Sequence, residues 1–115
     1  MKEIKPEISF SDLTKVDIRV GEIKAVDDIP KSDKLVKLTV DFADFERTIV
    51  VGMKQERKNP AEIIGLQALF VVNLAPKEMF GIASHGMLFD IGYESGILPV
   101  LAVPEKPVPN GVIAG

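Results

Sequence analysis

The sequence has no cysteine. Disulfides, thiolate catalysis, Cys-ligated zinc and iron–sulfur clusters are therefore excluded, and a reducing cytoplasm is the expected setting. Histidine is nearly absent too, with His85 the single copy. It follows Ser84 directly, and neighbours in sequence cannot face each other as a nucleophile and its base; no third partner is evident. A lone histidine is also a poor metal signal. His85 therefore reads as an exposed loop or groove-edge residue. The glycines spell neither a P-loop nor a dinucleotide fingerprint. The acids fall in no spacing that implies an acid–base pair or a metal cage. No enzyme activity, cofactor or metal is expected. No stretch approaches the roughly 18 apolar residues of a membrane helix, so no membrane insertion is expected. The opening Met1-Lys2-Glu3-Ile4-Lys5-Pro6 is charged and lacks the apolar centre of a signal peptide.

What is present is a chain of 115 residues, one domain by length, able to bury a real core with a thin margin. Hydrophobic residues make up 46% and the mean hydropathy is +0.18. That is rich for a short chain, and apolar surface left over after one core is filled points to a partner subunit. The net charge is −3 and the pI about 5.1, which argues against a strongly basic nucleic-acid binder. The charge is uneven. Residues 31–58 hold seven basic and five acidic side chains, residues 1–30 five and seven, and residues 59–115 two and five. A phosphate-binding surface would be built from the middle third; an ordinary mixed surface is the plain alternative.

Residues 1–9 read as a lead-in and 10–115 as one domain. Val16, Ile18 and Val20 alternate with polar residues, as in a half-buried strand. Gly21 inside that run suggests a bulge or barrel corner. Residues 27–33 are a turn-rich loop. Val36, Leu38, Val40 and Phe42 point one way, and residues 47–51 return as the hairpin partner across Ala43-Asp44. Asn59-Pro60-Ala61-Glu62 reads as a helix start, with Asn59 as N-cap and Glu62 completing a capping box. Residues 68–72 form an apolar run buried on both faces, 87–91 and 97–103 are two further strands, and Pro104, Pro107 and Pro109 keep the tail extended. Three strands, a short helix and two more strands suit an all-β, five-stranded oligonucleotide-binding (OB) barrel with its helix between strands 3 and 4. Strand count alone does not separate it from an SH3-like barrel.

Four segments carry a resemblance. They are Asp17-Ile18-Arg19-Val20-Gly21-Glu22-Ile23, Pro30-Lys31-Ser32-Asp33-Lys34-Leu35, Arg47-Thr48-Ile49-Val50-Val51-Gly52, and the run from Asn73-Leu74-Ala75-Pro76 through Met79-Phe80-Gly81 to Ser84-His85-Gly86-Met87. In this order and spacing the chain resembles the tRNA-binding domain found free-standing and at the C-terminus of methionyl-tRNA synthetases. The resemblance implies an OB fold, a homodimer for free-standing members, and a tRNA groove with Asn73, Lys77, Met79, Ser84 and Met87 as contacts, joined at its edge by Lys34. Asn73 and Ser84 suit hydrogen bonds to a base edge or 2′-hydroxyl, Met79 and Met87 a base face, and Lys77 a phosphate. Core packing for Met87 and a turn bond to its own backbone for Asn73 are the plain alternatives. The stretch around Lys77 has one base and an added acid, Glu78, where many members are densely basic, which weakens salt-dependent binding.

The same family includes the secretion chaperone CsaA, which binds unfolded or pre-secretory polypeptides. The ending 106–115 and Gly52-Met53-Lys54-Gln55 resemble it, and Met79, Phe80, Met87 and Phe89 could accept apolar peptide segments. A synthetase accessory subunit is the third reading. Residues 97–103 and the tail are expected to contribute to an isologous dimer interface, which would place two grooves on one particle.

Overall fold

In a computed structural model, residues 2–115 fold into a nearly closed antiparallel barrel whose strands follow from the alternation just described. The three long strands are β1 (Ile18–Asp28), β2 (Val36–Asp41) and β3 (Glu46–Val51). On β2, Val36, Leu38 and Val40 are buried while Lys37, Thr39 and Asp41 are not, and Phe42 continues the inner row. Across the hairpin, Val36 faces Val51 and Leu38 faces Ile49, so one side of the pair is continuous core. β4 (Gln67–Val71) pairs with the first half of β1, and β7 (Met87–Leu88) with β4. The sheet order is β3-β2-β1-β4-β7. The barrel closes where the Ser84 hydroxyl accepts the Val50 N–H (2.9 Å) and His85 N–H donates to the Thr48 carbonyl (2.9 Å). Phe42, Phe70, Ile23, Leu38, Ile49, Met53 and Ile63 fill the interior.

Gly21 marks the corner of the barrel. A Cβ there would lie 2.6 Å from Val40 and 2.7 Å from Phe42, so only hydrogen lets β1 pass over the core. The pairing of β1 with β2 then shifts register between Ile23 and Ala25, the irregularity expected near such a glycine.

The remaining elements are short. β5 (Lys77–Met79) and β6 (Ile82–Ser84) form a hairpin, and β8 (Asp90–Ile91) pairs with β9 (Val100–Leu101). Several expectations are corrected here. The helix between β3 and β4 is a single 3-10 turn, Pro60–Ile63, and Asn59 makes no capping bond. The capping box sits instead at Ser9 and Asp12, on the one-turn helix α1 (Phe10–Leu13), where only strands were expected. Val16 is exposed and lies outside β1. The hairpin β5–β6 occupies a stretch read as loop. The strand expected over 87–91 breaks at Phe89, and that over 97–103 shrinks to Val100–Leu101, because a 3-10 turn at Tyr93–Ser95 reverses the chain first.

The tail crosses back over its own barrel. Gln67 Nε2 donates to the Val108 carbonyl (2.6 Å) and to Asn110 Oδ1 (2.7 Å), while Asn110 Nδ2 reaches Glu22 Oε1 (3.1 Å). β10 (Ile113–Ala114) then pairs with the start of β1, Ile18 against Ala114. No helix among the described residues is long and apolar enough to cross a membrane.

Candidate functional site

The inner rows of β1 and β3 each run out into an arginine at one end of the barrel. Arg19 pairs in register with Phe70, and Arg47 with Val40; both partners are fully buried. A guanidinium on the core-facing side cannot be left without partners. Arg47 Nη1 donates to the Val72 carbonyl (2.9 Å), and its guanidinium lies 4.8 Å from the centre of the Phe45 ring. Arg19 lies 5.8 Å from the same ring and forms a two-pronged pair with Asp17 (2.9 and 3.1 Å). Phe45 in turn stacks on Phe42 at 5.1 Å. The ring thus joins the core to two cations, a favourable contact with its electron-rich face. Hydrogen bonds from Arg19 hold the Asp17 carboxyl below its ordinary range and the Arg19 guanidinium above its own.

Asn73 ties this end together. Its Oδ1 accepts the Asp17 N–H (2.8 Å), and its Nδ2 donates to the Lys15 carbonyl (2.7 Å). The amide therefore bonds neither its own turn nor an open groove: it clamps residues 15–17, just before β1, to the segment that follows β4. Together with Leu74, Ala75, Pro76 and His85, these residues line a groove of about 390 Å³. His85 is one of the residues lining this groove.

A second concavity, about 330 Å³, lies where Phe80 and Ile82 of the hairpin approach Lys37 and the loop from Asp27 to Lys31. Phe80 is exposed at the hairpin tip with φ +52°, and Gly81 follows at +77°. Such a backbone is uncommon for a bulky side chain and sets the ring out from the barrel.

The expected contact residues are distributed as follows. Lys77 is exposed on β5 opposite Ser84, and Met79 is half-buried opposite Ile82. Ser84 is only 5% exposed, and its hydroxyl is engaged in closing the barrel. Met87 is exposed on β7, paired with Val71. Asn73 stands at the root of this hairpin. Lys34 lines a separate cavity of about 610 Å³ with Tyr93, Ile97, Leu98, Glu56 and Asp90. Burial raises both carboxyls there, and the charge of Asp90 raises Glu56 further. Arg19, Phe45 and Arg47 were not singled out from the sequence as a site. For Arg47 the signal was parity with Ile49 and Val51; Arg19 shares the inward phase of Gly21 and Ile23, opposite to the Val16, Ile18, Val20 row expected to be buried. Among the described residues no group of three or more His, Cys, Asp or Glu side chains could hold a metal.

Comparison with known proteins places these features in context. A family model described as "Putative tRNA binding domain" matches residues 18–112. A methionine–tRNA ligase of Parabacteroides distasonis is 42% identical over 110 residues, 96% of this chain and 16% of the ligase; the chain thus spans about a sixth of the length of that curated relative. Among solved structures, a MetRS-related protein from Pyrococcus horikoshii superposes with a TM-score of 0.87 at 35% identity, covering 96% of this chain and all of that one. The chaperone CsaA from Bacillus anthracis gives 0.82 at 27% identity, with 96% and 100% coverage.

Proposed function

Because the chain belongs to the tRNA binding domain family, we propose that it is a non-catalytic tRNA-binding protein that acts in the cytoplasm as a homodimer. It binds by shape, backbone and a few unstacked nucleotides. The observation that carries this reading is the barrel-mouth groove, where two guanidiniums flank Phe45 beside the Asn73 loop. Arg47 spends one donor on the Val72 carbonyl, and a guanidinium has five in all. The rest suit a phosphate or a base edge, and stacked aromatic and guanidinium planes are what single-stranded RNA segments pack on. Asn73 acts by fixing the groove wall. Lys77, Met79 and Met87 contribute from the hairpin and the strand after it, Ser84 by holding that hairpin to β3, and Lys34 from its own cavity. A synthetase that lacks such a module is the natural partner.

The dimer reading is supported by exposed apolar side chains at Ile91, Tyr93, Ile97, Leu98, Val100 and Val103. The tail bonds to its own barrel, so its contribution to an interface comes from side chains. Light scattering at micromolar concentration tests this, and a monomer rejects it.

Titration with bulk tRNA at two salt concentrations tests the tRNA reading. Binding that weakens with salt, and falls about tenfold in Arg47→Ala, supports it. Absence of binding at low salt rejects it. A second reading, capture of unfolded polypeptide, is favoured by exposed Leu74, Phe80 and Met87 and by the likeness to CsaA. It takes over if tRNA does not bind and the protein suppresses aggregation of an unfolded substrate.

A further inference from the structure

The basic middle third looks, residue by residue, like a set of phosphate contacts. Two of its members are already occupied within the fold. Arg57 is paired with Glu62 at 2.7 Å. Lys54 is engaged more fully. Its Nζ donates to the carbonyls of Ile29 (2.7 Å) and Ser32 (2.6 Å), with the Asp28 carboxylate at 2.5 Å. An ammonium has three protons and no acceptor, so these three partners use all it can give. The side chain is only 21% exposed, and the Lys54 N–H donates to the Lys34 carbonyl (3.0 Å). Backbone and side chain of one residue therefore hold both ends of the loop between β1 and β2.

That loop has little else to shape it. It lies outside the strand ladder, and apart from the buried Ile29 side chain its order rests on Ser32. The Ser32 N–H donates to the Ile29 carbonyl (2.9 Å), and its hydroxyl accepts the N–H groups of Lys34 (3.2 Å) and Leu35 (3.0 Å). The Ile29 and Ser32 carbonyls converge on the Lys54 ammonium; without it the Ser32 carbonyl loses this donor and the Ile29 carbonyl keeps only the Ser32 N–H. The same loop presents Lys31 to the concavity shared with Lys37 and Phe80.

We propose that Lys54 is a positioning residue for RNA contacts at the second concavity, where the loop meets Lys37 and Phe80: it locks the β1–β2 loop in its binding shape and makes no phosphate contact itself. The proposal rests on the tRNA reading for its ligand, and on the observed hydrogen bonds for its mechanism. An ordered loop binds more tightly than a mobile one because its entropy is lost before the ligand arrives.

Salt dependence separates the two roles. A lysine that meets a phosphate contributes about one unit to the slope of log affinity against log salt; a lysine that shapes a loop contributes none. Wild type, Lys54→Met, Ser32→Ala and Lys31→Gln are titrated with bulk tRNA across a series of salt concentrations. Lys54→Met is expected to bind about tenfold more weakly at every salt with an unchanged slope. Ser32→Ala alters no charge and is expected to lose about threefold, also with an unchanged slope. Lys31→Gln lowers the slope by about one. Wild-type affinity in Lys54→Met, or a slope reduced by about one in that variant, overturns the proposal. Amide hydrogen exchange gives a readout free of RNA: Lys34 and Leu35 exchange faster in Lys54→Met, while the β2 amides stay protected and report an intact barrel. Unchanged exchange at Lys34 and Leu35 overturns the loop-locking role even if tRNA binds. If wild type binds no tRNA, the tRNA reading fails, and faster exchange in the variant still supports the lock.

Discussion

Strands β1 to β3 run for 11, 6 and 6 residues, whereas β5 to β9 have two or three residues each. In the first region each strand sends alternate side chains into one core, so a one-residue slip would expose the whole row, and register is fixed many times over. In the second region few side chains are buried: Ser84, Leu88, Pro99 and Leu101. Position there is set by single contacts, such as the Ser84 hydroxyl on the Val50 N–H. Backbone geometry sets it too, as at Gly86, where φ is +129° and a Cβ would meet the Val71 carbonyl at 2.9 Å. The difference teaches that this barrel has a half defined by burial and a half defined by individual hydrogen bonds, and the hairpin of the proposed binding surface belongs to the second.

Substitutions sharpen the contrast. Leu38→Ala empties a fully buried position on β2 and should cost about 3 kcal/mol in a denaturant titration. Gly21→Ala forces a methyl against Val40 and Phe42, and a cost of about 2 kcal/mol is expected from overpacking. Ser84→Ala leaves the Val50 N–H without its partner; the expected loss is about 1 kcal/mol, with faster exchange confined to Val50 and the hairpin. A loss from Ser84→Ala as large as that from Leu38→Ala would erase the distinction.

The smallest effect concerns charge, and here too the regions differ in sign. Desolvation by the walls of the cavity it lines raises the Asp90 carboxyl, against the opposing charge of Arg57. A raised acid disfavours the folded state at neutral pH, and the penalty disappears as pH falls through its folded value toward the ordinary aspartate value. Asp90→Asn should therefore raise Tm at pH 7 by no more than about 2 °C, with the gap to wild type closing in acid. Asp17 and Glu22, in the first region, are lowered by hydrogen bonds from Arg19 and from Asn110. Their contribution is present at neutral pH and is lost as pH falls through their values. A Tm gap for Asp90→Asn that widens in acid would contradict the assigned cause.

This division also decides what the sequence discloses. The row Val36, Leu38, Val40, Phe42 announces its strand, its face and its hairpin partner, because burial writes itself as alternation. The hairpin β5–β6 has no such row: Lys77, Glu78 and Ala83 are exposed, and its turn uses Phe80 at positive φ in place of a residue that favours it. The single capping signal read from the sequence was the wrong one: Asn59-Pro60 precedes a run that Gly65, at φ +92°, cuts to one turn, while the box at Ser9 and Asp12 passed unread. At the candidate site, motif likeness drew out Asn73 and the hairpin. The function of the Asn73 amide, a clamp on Lys15 and Asp17, depends on residues 56 and 58 positions away, and no local pattern reports such a bond. Arg47 was within reach of parity alone, as a charged residue in the inward phase at a strand end; Arg19 was not, because the row Val16, Ile18, Val20 points to the opposite phase.

The pairing of Ile18 with Ala114 has a topological consequence. Entry and exit of the barrel share one ladder, so segments joined before β1 and after β10 would emerge side by side. Such a unit can be spliced into a longer polypeptide like a bead on a knot, adding a folded lobe while hardly changing the distance between its neighbours. It is also a natural candidate for circular permutation, because a short linker between those two strands would bridge residues that are already hydrogen-bonded partners.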